Sequence, residues 1–276
     1  MSISASDVNK LRQMTGAGLM DCKAALAETG GDFESAIDFL RKKGAKIAAK
    51  RADRDATEGA VIALTNESST AGVIIVLSCE TDFVGKNESF VAFAREIAAT
   101  ALNNKPADIN ALKQLSINGS TIEGRLLDEV AKIGEKIDVV KYELVEGTNV
   151  IAYIHGANRM GVLVDLNNAP TEANTTAGKD VAMQIAAMNP VAVDRDGVDA
   201  TMIEREMEVG REQARQEGKP EAMIDKIAAG KLEKFYKEST LLNQEFVKDN
   251  GKTIAKMLSD VEAGLTVKQF KRVQLG

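Results

Sequence analysis

The stretch Gly72-Val-Ile-Ile-Val-Leu-Ser-Cys-Glu-Thr-Asp-Phe-Val84 decides how the middle of this chain folds. Its first half is a nearly continuous apolar run rich in β-branched residues, which is typical of a buried strand. Two acids and a large ring follow at the point where this strand leaves the sheet. Asn87 is then suited to cap a helix whose apolar residues recur with a helical period. The pattern predicts that Asp82 and Phe83 lie in a short turn between a rigid strand and a rigid helix.

This Asp-Phe tip is better suited to pushing on another molecule than to catalysis, because no base or metal ligand stands beside it in the sequence. The chain has one histidine, His155, which excludes zinc sites built on histidine pairs. Gly251-Lys-Thr253 has the end of a phosphate-binding loop, but Phe246 occupies the place of the required glycine. A nucleophile pair of Cys79 and His155 stays open as an alternative to a small buried cysteine.

The composition narrows the class of protein. With 276 residues there is room for two or three domains, and 44% hydrophobic with 28% charged residues is typical of a globular chain that buries a core. The net charge of -6 argues against a general nucleic-acid binder, which neutralises phosphates, and 4% aromatic residues without tryptophan weakens base stacking. No secretory signal or membrane-spanning run is recognisable, and two cysteines, Cys22 and Cys79, fit a reducing cytoplasm.

The first part of the chain, residues 4–48, predicts three short helices, with Ser4 or Ser6 and later Asp32 as caps. Leu19 and Met20 follow a double-glycine turn, and the pattern leaves open whether they are core residues or an exposed docking patch. The basic run from Arg41 to Arg54 predicts a solvated linker helix, with contact to phosphate or to an acidic partner as the alternative.

Two similar blocks follow, each predicted as a hairpin and then a helix. The first runs from Gly59 through the strand at 72–77 and the Asp-Phe tip to a helix ending near Leu102. The second has strands at 149–154 and 160–165, joined by a turn that begins with His155, and then a loop to Gly178 before a helix over 179–188. The matching spacing predicts an internal duplication of an α+β unit. Between the blocks, a helix over 122–133 stops at Gly134, which makes Ile133 an apolar residue at a helix end.

After Pro190 the pattern becomes that of a projecting helical arm. A charged helix over 202–217, a Gly-Lys-Pro turn and a return helix from Glu221 towards Leu242 predict an antiparallel helical hairpin. The tail is predicted to be a short amphipathic helix at 253–258 and a basic end at 266–273, detached from the core.

Four segments in order along the chain resemble the bacterial elongation factor Ts family. They are Arg12-Gln-Met-Thr-Gly-Ala-Gly-Leu-Met-Asp-Cys-Lys-Ala-Ala-Leu26, Cys79-Glu-Thr-Asp-Phe-Val84, His155-Gly-Ala-Asn-Arg-Met-Gly-Val-Leu-Val164, and Gly230-Lys-Leu-Glu-Lys-Phe235 with Leu241-Leu-Asn-Gln-Glu-Phe-Val-Lys-Asp249. Gly85 departs from the usual alanine, Met160 from isoleucine and Glu245 from proline, and the last leaves the bend before the tail less well defined.

The resemblance implies a guanine nucleotide exchange factor for elongation factor Tu, in its GDP-bound and nucleotide-free forms, with no covalent chemistry and no cofactor, metal, nucleic acid or membrane. Thr81, Asp82, Phe83 and Val84 are implied to intrude near the partner's magnesium site. The further partner contacts that it implies are Arg12, Leu19, Met20, Ile133, Gly134 and His155. Homodimerisation through the arm stays open, as does a ribosome- or GTPase-associated binding module without exchange activity.

The implied fold is α+β, with a ubiquitin-associated-type three-helix module, a duplicated core with antiparallel hairpin sheets, a coiled-coil arm and a short carboxy-terminal helical module. The expected domain boundaries are 1–54 for the amino-terminal module with its basic linker, 55–145 for the first core subdomain, 146–200 with 238–250 for the second, 201–237 for the arm and 251–276 for the carboxy-terminal module.

Overall fold

The computed structural model describes residues 3–276, which carry eleven α-helices and ten β-strands. Helices and small separate sheets confirm the predicted α+β class. The described residues divide into two units. Residues 3–62, 74–143 and 274–276 form the first unit, and residues 63–73 with 144–273 form the second.

Three helices open the first unit, as the sequence predicts: α1 (Ala5–Thr15), α2 (Leu19–Glu28) and α3 (Phe33–Lys50). The Ser4 hydroxyl caps α1 by accepting a hydrogen bond from the backbone N–H of Asp7, whose carboxylate accepts one from the backbone N–H of Ser4. The Asp32 carboxylate caps α3. The packed faces bury a small apolar core that consists of Val8, Leu11, Ala17, Cys22, Ala25, Leu26, Ala36 and Leu40.

The first block follows the prediction and continues beyond it. Its elements are β1 (Glu58–Thr65), β2 (Ala71–Cys79), a single helical turn α4 (Asp82–Gly85) and α5 (Glu88–Asn104). Next come α6 (Ile109–Gln114), β3 (Ser116–Ile117), β4 (Ser120–Thr121), α7 (Ile122–Ile133) and β5 (Asp138–Glu146). The sheet order is β1-β2-β5, and β2 is buried at every residue. The sequence analysis missed β5, the third strand of this sheet.

The basic run at 41–54 is mostly helical, and four of its seven basic side chains are exposed, as expected for a solvated helix, while one side of the helix is packed. Most of it lies in α3, which contacts α7. A methyl group at Gly44 would lie 2.4 Å from the carbonyl oxygen of Leu127, so this close helix contact requires glycine. The Arg41 guanidinium pairs with Asp128 at 3.3 Å. Gly44 and Arg41 therefore fasten α3 to α7, while Lys42, Lys46, Lys50 and Arg54 are exposed.

The second unit contains the second predicted hairpin, β6 (Asn149–His155) and β7 (Met160–Leu166), followed by α8 (Glu172–Met188). The hairpin is antiparallel with His155 opposite Met160. The predicted start of α8 near residue 179 is wrong, because Thr171 caps the helix by accepting a hydrogen bond from the backbone N–H of Asn174. Gly178, interpreted as the end of a loop, lies inside the helix, where a methyl group would meet Ile151 at 2.6 Å.

A helical hairpin of α9 (Ala200–Gln216) and α10 (Glu221–Ser239) comes next in the second unit. Arg211 donates to Asp225 at 2.8 Å, and Gly210 lies against Ala228, where a methyl group would be 3.1 Å from the Cα atom. These pairings run in opposite directions along the two helices, so the hairpin is antiparallel, as predicted.

The carboxy-terminal segment belongs to the core of the second unit, which corrects the prediction of a detached tail. It contains β8 (Glu245–Phe246), β9 (Asp249–Thr253), α11 (Ile254–Val261) and β10 (Val267–Gln274). The predicted amphipathic helix is confirmed as α11, but the basic end is a strand, which completes the sheet in the order β10-β7-β6. Ile254 and Leu258 of α11 and Val267 of β10 pack with residues of β7 and α8 in one apolar core. Within residues 3–276, no helix is long and apolar enough to cross a membrane.

Candidate functional site

The Asp-Phe tip is mounted between two rigid elements, as the sequence predicts. The buried strand β2 ends at Cys79, and α5 begins at Glu88 after an Asn87 cap that accepts a hydrogen bond from the Ser89 backbone N–H. Between them, α4 turns once, and the Phe83 side chain is 85% exposed. Burial of this side chain in an apolar site of another molecule would be favourable by about 1.5–3 kcal/mol.

The base of the tip is a close approach of two backbones. A methyl group at Gly85 would lie 2.9 Å from the carbonyl oxygen of Gly59. Gly59 itself has a φ of +147°, and a methyl group there would lie 2.1 Å from the carbonyl oxygen of Leu77. Both positions therefore require glycine. The departure at Gly85 from the alanine that the resemblance leads us to expect is thus matched by the local packing.

Asp82 lies beside Phe83 and keeps its charge at the surface. Lys86, one turn later, donates to its carboxylate at 2.5 Å, and this hydrogen bond lowers the pKa of Asp82 below its usual value. The tip therefore presents an ionised carboxylate next to an aromatic ring.

A second carboxylate, that of Glu135, holds the base of the tip. Its Oε2 accepts hydrogen bonds from the backbone N–H groups of Glu80 and Thr81, both at 3.0 Å, and its Oε1 accepts one from the Thr81 hydroxyl at 2.6 Å. Thr81 therefore precedes α4 without capping it through its side chain. The backbone where the chain leaves β2 is fixed by a residue far away in the sequence.

The side chain of Glu80 in turn bonds the residue that follows Glu135. Its carboxylate accepts a hydrogen bond from the backbone N–H of Lys136 at 2.6 Å and one from the Arg51 guanidinium at 2.7 Å. Burial acts to raise the pKa of Glu80, but the hydrogen bonds from Lys136 and Arg51 outweigh it, and the pKa is lowered. We call the mutual bonding of residues 80–81 with 135–136 the carboxylate clasp.

Ile133 and Gly134 are placed next to the tip by this clasp. Both are half-buried, and Gly134 ends α7 in the left-handed conformation, with φ of +81° and its N–H donating to the Val130 carbonyl. Glu135, the next residue, then reaches Thr81.

The remaining predicted contacts of the first unit lie on the three-helix module. Arg12 is exposed, and Leu19 and Met20 are 47% and 72% exposed, so the structure places these two apolar side chains outside the core. Gly16 lies in the turn between α1 and α2. A methyl group at Gly16 would lie 3.1 Å from Cδ of Lys132, near the end of α7. The turn between α1 and α2 therefore contacts the end of α7, and Glu135, just after α7, bonds the base of the tip.

His155 belongs to the second unit, whereas the tip belongs to the first. It is exposed at the end of β6, at the predicted hairpin turn, and its Nδ1 is 3.0 Å from the Tyr153 hydroxyl. These surroundings give no support to His155 as the base of a nucleophile pair with Cys79.

Covalent chemistry at Cys79 is not supported by its environment. The thiol is buried and donates to the Thr81 carbonyl at 3.1 Å, and burial raises the pKa of Cys79 to about 12, so the reactive thiolate is scarce at neutral pH. Within residues 3–276, no cluster of three or more histidine, cysteine, aspartate or glutamate side chains is placed to hold a metal ion.

The sequence analysis missed the residues that hold the tip: Arg51, Glu80, Glu135 and Lys136. The available signal was a glutamate directly after the helix-stop glycine, Gly134. That signal has no meaning without the position of β2.

Comparison with known proteins agrees with the sequence resemblance. The family described as Elongation factor TS matches residues 80–276. The chain is similar to proteins named Elongation factor Ts, with 55% identity over 276 residues to that of Amoebophilus asiaticus, covering 100% of both chains. It is 50% identical to that of Cytophaga hutchinsonii over 99% of both chains, and 49% identical to that of Flavobacterium psychrophilum over 100% of this chain and 99% of the relative. By the family match and by these full-length identities, the chain belongs to the elongation factor Ts family.

Proposed function

We propose that this chain is the guanine nucleotide exchange factor of elongation factor Tu and that it promotes GDP release by inserting the Asp82-Phe83 tip near the magnesium and phosphate site of that GTPase. Membership of the elongation factor Ts family supports the general role. The observation that carries the insertion is the 85% exposure of Phe83 on a rigidly mounted turn. The proposed place of action is the cytoplasm, where translation elongation takes place.

The rigid mount makes insertion favourable. Burying Phe83 in a partner gains about 1.5–3 kcal/mol of hydrophobic free energy. Because Cys79 ends a buried strand and α5 follows at once, little conformational entropy remains to be lost when the tip is fixed in a complex.

Exchange follows from differential binding. A tightly held nucleotide leaves slowly because magnesium and a phosphate-binding loop hold its charged end. A factor that binds the nucleotide-free form better must weaken nucleotide binding by the same factor. An aromatic ring wedged between packed helices moves them as discrete bodies, and a carboxylate beside magnesium competes for its ligands. Lowering the release barrier by about 4 kcal/mol accelerates release roughly a thousandfold.

The other predicted residues are assigned to docking. Arg12, Leu19 and Met20 supply a charged and apolar patch on the three-helix module, and their exposure supports contact with the partner. Ile133 and Gly134 supply a contact beside the base of the tip, and His155 supplies one from the second unit. In this proposal these residues bind Tu in its GDP-bound and nucleotide-free states, and the tip acts on the nucleotide.

The experiment is release of fluorescent GDP from purified Tu, measured with increasing amounts of the chain. The double variant Asp82→Ala/Phe83→Ala should lose most of the acceleration. Val140→Ala, which removes a 53% exposed apolar side chain from β5 in the same unit, is the matched control and should keep it. If the chain binds Tu but leaves GDP release unchanged, it is a binding module and the exchange proposal is wrong. If the double variant exchanges nucleotide at the parent rate, the tip is not the active element.

A further inference from the structure

We infer that Glu135 is a positioning residue for nucleotide exchange, which acts through the carboxylate clasp to fix the angle at which the tip leaves the first sheet. The inference rests on the proposed function, because it gives the clasp a purpose beyond stability. Glu135 touches no reacting group, and its three hydrogen bonds all end on Glu80 and Thr81, the two residues that precede the tip.

The clasp can fix the direction of the chain at the tip because it binds both backbone N–H groups and a side chain just before the tip. The backbone N–H groups of Glu80 and Thr81, the first two residues after β2, are both bound by one carboxylate oxygen of Glu135. The other oxygen holds the Thr81 hydroxyl. These charge-assisted bonds fix both the position and the rotation of the peptide that leads into α4.

The clasp also connects the tip to the docking module. Arg51, which directly follows α3, donates to the Glu80 carboxylate, and the Lys136 ammonium donates to the carbonyl oxygens of Ala52 at 2.6 Å and Arg54 at 3.0 Å. The end of α3, the end of α7 and the end of β2 therefore meet at these residues. A partner that binds the three-helix module would receive the tip at a fixed distance and angle.

Positioning predicts a particular kinetic signature. The docking contacts of Arg12, Leu19, Met20 and His155 lie outside the clasp and stay intact when it is cut, so the concentration of chain that gives half-maximal exchange should change by less than about twofold. The maximal exchange rate should fall, because a loosened tip enters the productive orientation less often. A residue that serves only folding would leave the maximal rate of the folded fraction unchanged.

The test is the maximal rate of fluorescent GDP release from Tu at saturating chain. Glu135→Ala should lower this rate by about tenfold, and Glu135→Gln, whose amide can still accept from the backbone and bond Thr81, should recover most of it. Glu262→Ala is the matched control, because Glu262 also follows a helix and bonds the asparagine side chains of Asn168 and Asn174 in the second unit. It should leave the maximal rate unchanged.

A readout on the free chain makes the test independent of Tu. Hydrogen exchange at the Thr81 amide should become faster in Glu135→Ala and stay unchanged in Glu262→Ala. If Glu135→Ala does not fold, Thr81→Val removes the hydroxyl bond alone and should lower the maximal rate by about threefold.

The outcomes separate the two proposals. If the wild-type chain accelerates GDP release, the Asp82/Phe83 double variant does not, and the clasp variants keep the full maximal rate, the positioning role is overturned and the proposed function stands. If the double variant is as fast as the wild type, the proposed function fails, whatever the clasp variants do.

Discussion

The two blocks of this chain have the same order of hairpin and helix. They differ at the junction where the second strand of the hairpin leads into the long helix. In the first block, residues 80–87 join β2 to α5, and in the second, residues 167–171 join β7 to α8. Both helices have 17 residues and end at a non-glycine residue in the left-handed conformation, Lys105 with φ of 47° and Asn189 with φ of 46°. The junctions are equivalent in topology and different in chemistry.

Each junction is bonded by a glutamate that lies between a later helix and the third strand of the same sheet. Glu135 follows α7 and precedes β5, and Glu262 follows α11 and precedes β10. Glu135 binds backbone N–H groups, whereas Glu262 accepts hydrogen bonds from the amide side chains of Asn168 and Asn174. In both blocks, therefore, a carboxylate that precedes the third strand bonds the junction.

The second junction is hydrogen-bonded to the segment that leads into β10. The Asn167 backbone N–H donates to the Thr266 carbonyl at 3.1 Å, and the Asn167 side chain accepts a hydrogen bond from the Thr266 N–H at 2.8 Å. Its exposed residues, Ala169, Pro170 and Thr171, carry no large apolar side chain. The first junction instead presents Phe83 to solvent. Under the proposed function, the first junction makes contact with the partner and the second junction has a structural role.

The largest expected effect separates the junctions by activity. Phe83→Ala should reduce chain-stimulated GDP release by on the order of a hundredfold, because the wedge supplies most of the barrier reduction. Pro170→Ala, which truncates an exposed side chain at the second junction, should leave release unchanged. The measurement is fluorescent GDP release at saturating chain, and equal losses in both variants would contradict the assignment of roles.

The second prediction concerns stability. Glu262→Ala leaves Asn168 and Asn174 without their carboxylate acceptor and should lower the free energy of unfolding by about 1–3 kcal/mol. Urea denaturation followed by circular dichroism measures this change. The second junction is assigned a structural role. A Glu262→Ala variant that loses nucleotide exchange but keeps its free energy of unfolding would contradict that role.

The third prediction tests the glycine contact under the tip. Gly85→Ala brings a methyl group to 2.9 Å from the Gly59 carbonyl, and the resulting shift should cost about 1–2 kcal/mol in unfolding free energy. Gly230→Ala, in α10 with no atom within 4 Å of the added methyl group, is the matched control and should be neutral or stabilising. Thermal unfolding of both variants measures the difference, and a stable Gly85→Ala would show that this backbone contact gives way easily.

The smallest effect is a pH dependence at the clasp. The folded-state pKa of Glu80 lies below its ordinary value of 4.5, so the charged carboxylate adds stability above pH 4.5 and loses that contribution as the pH falls through the lower folded-state value. Glu80→Gln should therefore be less stable than the wild type at neutral pH, and the difference should shrink in acid.

Urea unfolding of both proteins from neutral to acidic pH measures this difference, with Glu67→Gln in the exposed β1–β2 turn as the control. A difference between the wild type and Glu80→Gln that stays constant with pH would show that the charge of Glu80 does not contribute.

Local sequence predicted those features that depend on local physics. The caps at Ser4, Asp32 and Asn87 and the end of α7 at Gly134 were predicted because each needs only a short polar side chain or a glycine beside an apolar periodic run. The exposed Phe83 was predicted because acids interrupt a β-branched run there.

The features that were missed depend on distant partners. The strand β10 has apolar residues only at every third position among lysine, arginine and glutamine, so it lacks the alternation of a strand and is recognisable only because β7 lies beside it. β5 is recognisable in the same way only once β2 is placed. Glu135 is polar, half-buried and separated from Thr81 by 54 positions, so no local pattern indicates its three hydrogen bonds.

A structure of the chain in complex with nucleotide-free Tu tests the central claim most directly. The side chain of Phe83, 85% exposed in the free chain, should lose nearly all of that exposure to the GTPase, with Asp82 facing the vacated magnesium site. A complex in which Phe83 still faces solvent, while the three-helix module is docked, would contradict the account.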